Sequence, residues 1–227
     1  MSREELERAK RLVESLDTEG QRAVLAWLRS RYPIHQMERD WQAPAEIILE
    51  AISRSDDISQ RGVRGLIAEA AFECHILPLL SSGWRRNTVS KESAYDFCIE
   101  DAEGCVRIQV KLQRREKGVP KRWRLDSNYF VVETQRTRGG KSRTGAATRP
   151  YRFGDFDLLA VCMQPATDSW GYFRFTPQGW LLPHKQDDAA LATLQPVSLG
   201  RGSTWSSDLE ECVRWFRSGE RRVVGTD

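Results

Sequence analysis

Ala94-Tyr95-Asp96-Phe97-Cys98-Ile99-Glu100-Asp101-Ala102-Glu103-Gly104-Cys105-Val106-Arg107-Ile108-Gln109-Val110-Lys111-Leu112 is the stretch on which the fold turns. Apolar and polar residues alternate through both halves, the period of half-buried strands. Asp101-Ala-Glu-Gly104 has turn composition and predicts an antiparallel hairpin. In that register Tyr95 faces Val110, Phe97 faces Ile108 and Ile99 faces Val106. One face is then wholly apolar and must lie on a core, and a one-residue slip would scramble it. The other face pairs Asp96 with Gln109, sets Cys98 against Arg107 and carries Lys111 two residues beyond Gln109. Same-face side chains recur every ~6.6 to 6.8 Å along a strand. Directly opposed Cβ atoms lie ~4.5 to 5.5 Å apart. Asp96, Gln109 and Lys111 are thereby drawn into one polar cluster.

Such a cluster suits phosphodiester hydrolysis. The substrate is a stable anion, and its cleavage needs a divalent cation for the developing charge and a group that activates water. A carboxylate and an amide oxygen are hard ligands suited to magnesium. A neighbouring lysine can hold the attacking water and assist its deprotonation. The plain alternative is a strand with a solvated polar face. A third acid, Glu69, lies in the apolar helical run Leu66-Ile-Ala-Glu-Ala-Ala-Phe72, where a buried carboxylate is costly without a partner or a metal. Its alternative reading is a place on an exposed stripe shared with Glu73.

Together these residues resemble the PD-(D/E)XK nuclease superfamily, nearest in pattern to its Mrr-type and Holliday-resolvase-like members. Arg64-Gly65-Leu66-Ile67-Ala68-Glu69, followed by Leu77, Leu80, Gly83 and Trp84, looks like the first helix of those branches. Asp96 matches the metal-binding Asp, and Gln109-Val110-Lys111 matches the (E/Q)xK tripeptide. The resemblance covers residues 61 to 175. Tyr95 stands where the namesake Pro would be, and Gln109 replaces the more usual Glu, which lowers the negative charge of the site. The resemblance implies an α/β restriction-endonuclease-like core, a mixed central sheet flanked by helices. It further implies a magnesium-dependent DNA endonuclease of restriction type, with manganese as a possible substitute, leaving 5′-phosphate and 3′-hydroxyl ends. Asp96, Glu69 and Gln109 would serve the metal, and Lys111 the water. A structure-specific repair or recombination nuclease and an inactive DNA-binding module are the alternatives. The family usually places a helix after the Lys strand; here Tyr129 to Thr134 predicts an extra strand, and Phe156 to Met163 the strand that completes the core.

Charge points to the same partner. The 227 residues carry a net +3, yet Arg107 to Arg152 holds 14 Lys and Arg against three acids, and the remainder is net acidic. A concentrated basic segment is what counterion release from a polyphosphate requires. Gln113, Arg114, Arg115 and Lys117 follow the catalytic strand, and Arg136, Arg138, Lys141, Arg143, Arg149 and Arg152 form an arginine-rich loop that would embrace double-stranded DNA. Trp123 could stack on a base. Gly139-Gly-Lys-Ser142 is not a phosphate-binding loop, because Gln135 stands where its first glycine belongs, so no nucleotide cofactor is expected.

Five cysteines without a CxxC pair predict neither a disulfide framework nor a zinc finger, and three scattered histidines disfavour histidine metal sites. No apolar run approaches the ~20 residues that span a bilayer. The charged start Met1-Ser-Arg-Glu-Glu gives no expectation of a signal peptide. A cytoplasmic protein without a membrane partner is expected. Residues 1–56 read as a helical N-terminal extension, able to support a homodimer, and 57–227 as the nuclease domain with a C-terminal hairpin and helix. A capping box is expected at Thr18 and Gln21, a long helix over 61–80, and a turn at Thr176-Pro-Gln-Gly179 between two strands. A last helix from Ser207, capped with Glu210, would bury Leu209, Cys212, Val213 and Phe216. Asp155 and Asp157 read as capping or salt-bridge groups.

Overall fold

The computed structural model describes residues 2–32, 35–124, 126–135, 150–200 and 204–225. The chain forms two compact units, Met1–Gln60 and Arg61–Asp227. The first is helical: α1 (Arg3–Glu14), α2 (Thr18–Arg31), α3 (Gln36–Asp40) and α4 (Ala45–Arg54). Helix α1 starts at a reciprocal Ser2–Glu5 capping box. The cap of α2 is Asp17, which accepts from the Gly20 amide at 2.8 Å, so the expected Thr18–Gln21 box is displaced by one residue. An aspartate at that position adds a full negative charge to the helix N-terminus, which a threonine does not.

Helix α5 (Asp57–His75) leads into the second unit. It starts earlier and stops sooner than the sequence pattern suggests, and a 3₁₀ turn over Leu77–Leu79 carries Pro78. Then come β1 (Arg85–Asn87), β2 (Phe97–Asp101), β3 (Gly104–Leu112), β4 (Arg115–Glu116), β5 (Val119–Pro120), β6 (Tyr129–Glu133), β7 (Leu158–Cys162), α6 (Gln164–Thr167), β8 (Phe173–Pro177), β9 (Pro183–His184), β10 (Asp187–Leu191), β11 (Leu194–Ser198) and α7 (Leu209–Arg217). The central sheet runs β1-β2-β3-β7-β8. It is mixed: β3 and β7 are parallel, and the other pairings are antiparallel. The connection between the two parallel strands contains no helix among the described residues. It contains β6, which pairs with β11 in a separate small sheet.

The hairpin register is the one the alternation dictates, with Phe97 opposite Ile108, Ile99 opposite Val106 and Asp101 opposite Gly104. Phe97, Ile99, Val106, Ile108 and Val110 join Ala68, Ala71 and Phe72 of α5 and Leu209, Cys212 and Val213 of α7 in one core. Phe72 is its hub, with ring centres 4.9 Å from Phe97 and 5.6 Å from Phe173. A second core, containing Leu159, Val161, Trp180, Leu191 and Val197, covers the opposite face of β7.

Several expectations are corrected. Tyr95 packs against this second core rather than beside Phe97, because the β2 ladder begins only at Phe97. Thr176 to Gly179 is no hairpin turn: β8 runs to Pro177 and continues into a 3₁₀ turn, Gln178–Trp180. The cap of α7 is Asp208, accepting from Glu211 at 3.0 Å, not Ser207 with Glu210, and Phe216 is 37% exposed. Cys98 and Cys105 are joined by a disulfide across the hairpin, where odd-count arithmetic predicted none. Their register explains it, since they lie diagonally on one face of adjacent strands.

Candidate active site

The hairpin and α5 converge at the end of the sheet where β3 finishes and β2 begins. Asp96 is the residue before β2, and its side chain terminates the ladder. Asp96 Oδ2 accepts the Val110 amide at 2.8 Å and a second hydrogen bond from Gln109 Nε2. The carboxylate therefore takes an amide that a longer β2 would engage with backbone, and this fixes its direction. Gln109 is 2% exposed and also donates to the Val110 carbonyl at 3.1 Å. Its amide nitrogen is thus committed to holding Asp96 and the strand.

Burial raises the Asp96 carboxyl above the usual range, opposed by the Val110 amide and by the positive charge of Lys111. Glu69 is pushed up to about 7, first by burial and then by the negative charge of Asp96, with Lys111 opposing. The tertiary structure thus separates Glu69 from Glu73, which is exposed and bonded to Arg86 of β1. Glu69, Asp96 and Lys111 lie within electrostatic reach of one another although they come from three places in the chain. Lys111 stands beside Val161 in the β3–β7 register, and its Nζ lies 5.2 Å from the centre of the Tyr151 ring. Tyr151 is buried, and no spacing rule links it to the hairpin because it lies forty residues away along the chain.

No group of three or more His, Cys, Asp and Glu is placed to hold a metal among the described residues. The acidic donors here are two, Glu69 and Asp96. That set still fits a magnesium ion, which is commonly held by one or two carboxylates together with waters and substrate phosphate oxygens. Two half-buried carboxylates, each raised by burial and one of them also by the charge of the other, are an arrangement that a divalent cation relieves.

The other residues expected to contact a partner divide into four groups. Gln113 is buried, 2% exposed, where the chain passes from the Cys162 carbonyl of β7 to a bridge with Val132 of β6. Its side chain is not presented to a surface, so a role in touching a DNA backbone is withdrawn. Arg114 is paired with Glu133, and Arg152 with Asp187 at 3.0 Å. Arg115 and Lys117 are exposed. Arg136, Arg138, Lys141, Arg143 and Arg149 lie outside the described residues. Trp123 is half-buried, with its amide bonded to the Tyr129 carbonyl at 2.8 Å. Asp157 is a structural acid, as the sequence indicates: it clamps Arg107 through the backbone amide at 2.7 Å and the guanidinium at 2.7 and 3.0 Å.

No protein-family model and no curated protein matches the chain. Among solved structures, a bacterial homing endonuclease, I-Ssp6803I, is similar with a TM-score of 0.40 and 19% identity, over 70% of this chain and 94% of that one. No helix among the described residues is long and apolar enough to cross a membrane.

Proposed function

We propose that the chain is a metal-dependent phosphodiesterase acting on double-stranded DNA, an endonuclease of restriction type. The observation that carries this reading is the convergence of Glu69, Asp96 and Lys111 at one end of a mixed sheet, with Gln109 holding Asp96. Asp96 and Glu69 would hold magnesium, which supplies charge neutralisation on the scissile phosphate.

The chain's own groups do the rest. Gln109 fixes Asp96 by donating Nε2 to Oδ2, and its Oε1 would ligate the metal or orient water. Burial raises the Asp96 carboxyl, while the Val110 amide and the Lys111 charge act against that rise and favour the carboxylate that would serve the metal. Lys111 Nζ, held over the Tyr151 ring, would hold and polarise the attacking water and stabilise the hydroxide that attacks phosphorus in line. Water enters opposite the 3′-oxygen and gives its proton to solvent; the P–O3′ bond breaks, the 3′-oxygen takes a proton from solvent to leave as the 3′-hydroxyl, and the phosphate stays on the 5′ end. Burial around Gln109 and Asp96 lowers the local dielectric and strengthens these interactions.

The test is supercoiled plasmid with magnesium, run beside Lys111→Ala. Discrete linear fragments from the wild type, lost in the variant, support the reading. Retained cleavage by the variant overturns the site assignment.

A further inference from the structure

Strands β4 and β5 form a small ribbon that leaves the catalytic strand directly. Arg115 pairs with Pro120 and Glu116 with Val119, and the Lys121 amide bonds the Arg114 carbonyl at 2.9 Å to extend the ladder. The two-residue turn is Lys117-Gly118, with φ of +50° and +82°. Positive φ at both central positions is the backbone of the tight hairpin turn whose twist matches that of its strands. Arg115 follows Lys111 by four residues, ~13 Å of extended chain.

The base of the ribbon is tied to β6. The Arg114 amide bonds the Val131 carbonyl at 2.8 Å, and the Val131 amide bonds Lys121 at 3.1 Å. Arg114 is ion-paired with Glu133, and Lys121 Nζ with Glu116 at 3.0 Å. One face therefore has its cations balanced by acids. Arg115 on the other face, and Lys117 at the turn, have no acidic partner among the described residues. Val119 is 61% exposed and stands opposite Glu116, on the face away from Arg115.

We infer that this ribbon enters the major groove of double-stranded DNA, with Arg115 and Lys117 as its base-reading cations. The inference rests on the nucleic-acid reading of the site and adds the element that selects the sequence. The major groove of B-form DNA, ~12 Å wide, admits a two-stranded ribbon, and Arg or Lys can bond the guanine edge there. The deep, narrow major groove of A-form RNA does not. Arginine's fork gives bidentate recognition that a lysine's point charge cannot reproduce.

The experiment is selection from a randomised duplex DNA pool without divalent metal, with the full-length chain, followed by affinity measurements at graded salt. The expected result is an enriched wild-type sequence. Arg115→Ala loses ~5- to 150-fold on that sequence and relaxes one or two adjacent positions. Arg115→Lys retains the salt slope but also relaxes those positions. The Arg115→Ala, Lys117→Ala double variant flattens the slope by about 0.9 for each of these contacts that also reaches a phosphate. If the wild type binds duplex DNA and these variants keep both preference and slope, the ribbon is not the reading element and the nuclease reading stands. An affinity loss by Arg115→Ala that is uniform across sequences and is restored by Arg115→Lys makes the contact a phosphate one and overturns base reading. Equal binding of an RNA duplex overturns groove entry. A wild type that binds no duplex DNA in any salt removes both readings.

Discussion

Replacing Gln109 by Glu tests the geometry of the site most sharply, because the two residues have the same shape and opposite hydrogen-bonding capacity. Gln109 Nε2 donates to Asp96 Oδ2 and to the Val110 carbonyl. Loss of the bond to a charged acceptor costs ~1.5 to 3 kcal/mol, and loss of the neutral one ~0.5 to 1.5 kcal/mol. The new carboxylate faces Asp96, and two such charges ~4 Å apart repel by ~4 kcal/mol at an effective dielectric of about 20. Proton uptake limits that repulsion. Holding a Glu with an ordinary pKa of ~4.3 protonated at pH 7 costs ~3.7 kcal/mol, and at pH 5 only ~1 kcal/mol. A shared proton also restores one hydrogen bond between the carboxyls. The variant should therefore be less stable than wild type by about 3 to 4 kcal/mol at pH 7, and by roughly half that at pH 5. Millimolar magnesium should recover much of the loss at pH 7, since three acids would then surround one cation. Urea unfolding in chelator and in magnesium, at both pH values, measures all of this. A variant as stable as wild type in chelator at pH 7, or one destabilised equally at both pH values, would refute the Gln109–Asp96 contact as the organiser of the site.

Other outcomes follow from the same contacts. Lys111→Ala should lower cleavage by at least about a hundredfold, the low end of general acid–base effects, with thermal stability little changed. Phe72→Ala opens the centre of the aromatic cluster and should cost ~3 to 5 kcal/mol in urea unfolding; a loss under ~1 kcal/mol would place the hub elsewhere. Glu69 binds its proton more tightly folded than unfolded, so its contribution is favourable below the ordinary carboxylate range and is lost as pH rises toward about 7. In chelator the melting temperature should fall across that window, the fall should shrink in Glu69→Gln, and magnesium should raise the wild-type value more at pH 8 than at pH 5.5.

Much of this was legible in the residues. Alternation through Phe97 to Val110 forbids a one-residue slip, which would turn Ile99, Val106 and Ile108 to solvent, and with the turn at Asp101 to Gly104 it gives the register the structure has. The same register placed Cys98 and Cys105 diagonally on one face, so their bond could have been found there; counting an odd number of cysteines hid it. Local caps were less secure, because Asp17 and Asp208 compete with Thr18 and Ser207 for the same helix ends, and the carboxylates win.

The sequence by itself determined which side chains of one hairpin share a face, because the two-residue period of a strand is a local, steric property. Only the tertiary structure decided what surrounds that face. Helix periodicity left Glu69 equally able to join Glu73 in solvent; packing of Ala68, Ala71 and Phe72 on the sheet turned Glu69 toward Asp96 and Lys111. Gln113 continues the polar alternation of Gln109 and Lys111, yet it is buried because the chain there passes between two sheets. Tyr151 reaches Lys111 from forty residues away. Long-range contacts of this kind follow from how layers pack, and no periodicity within one strand or helix encodes them.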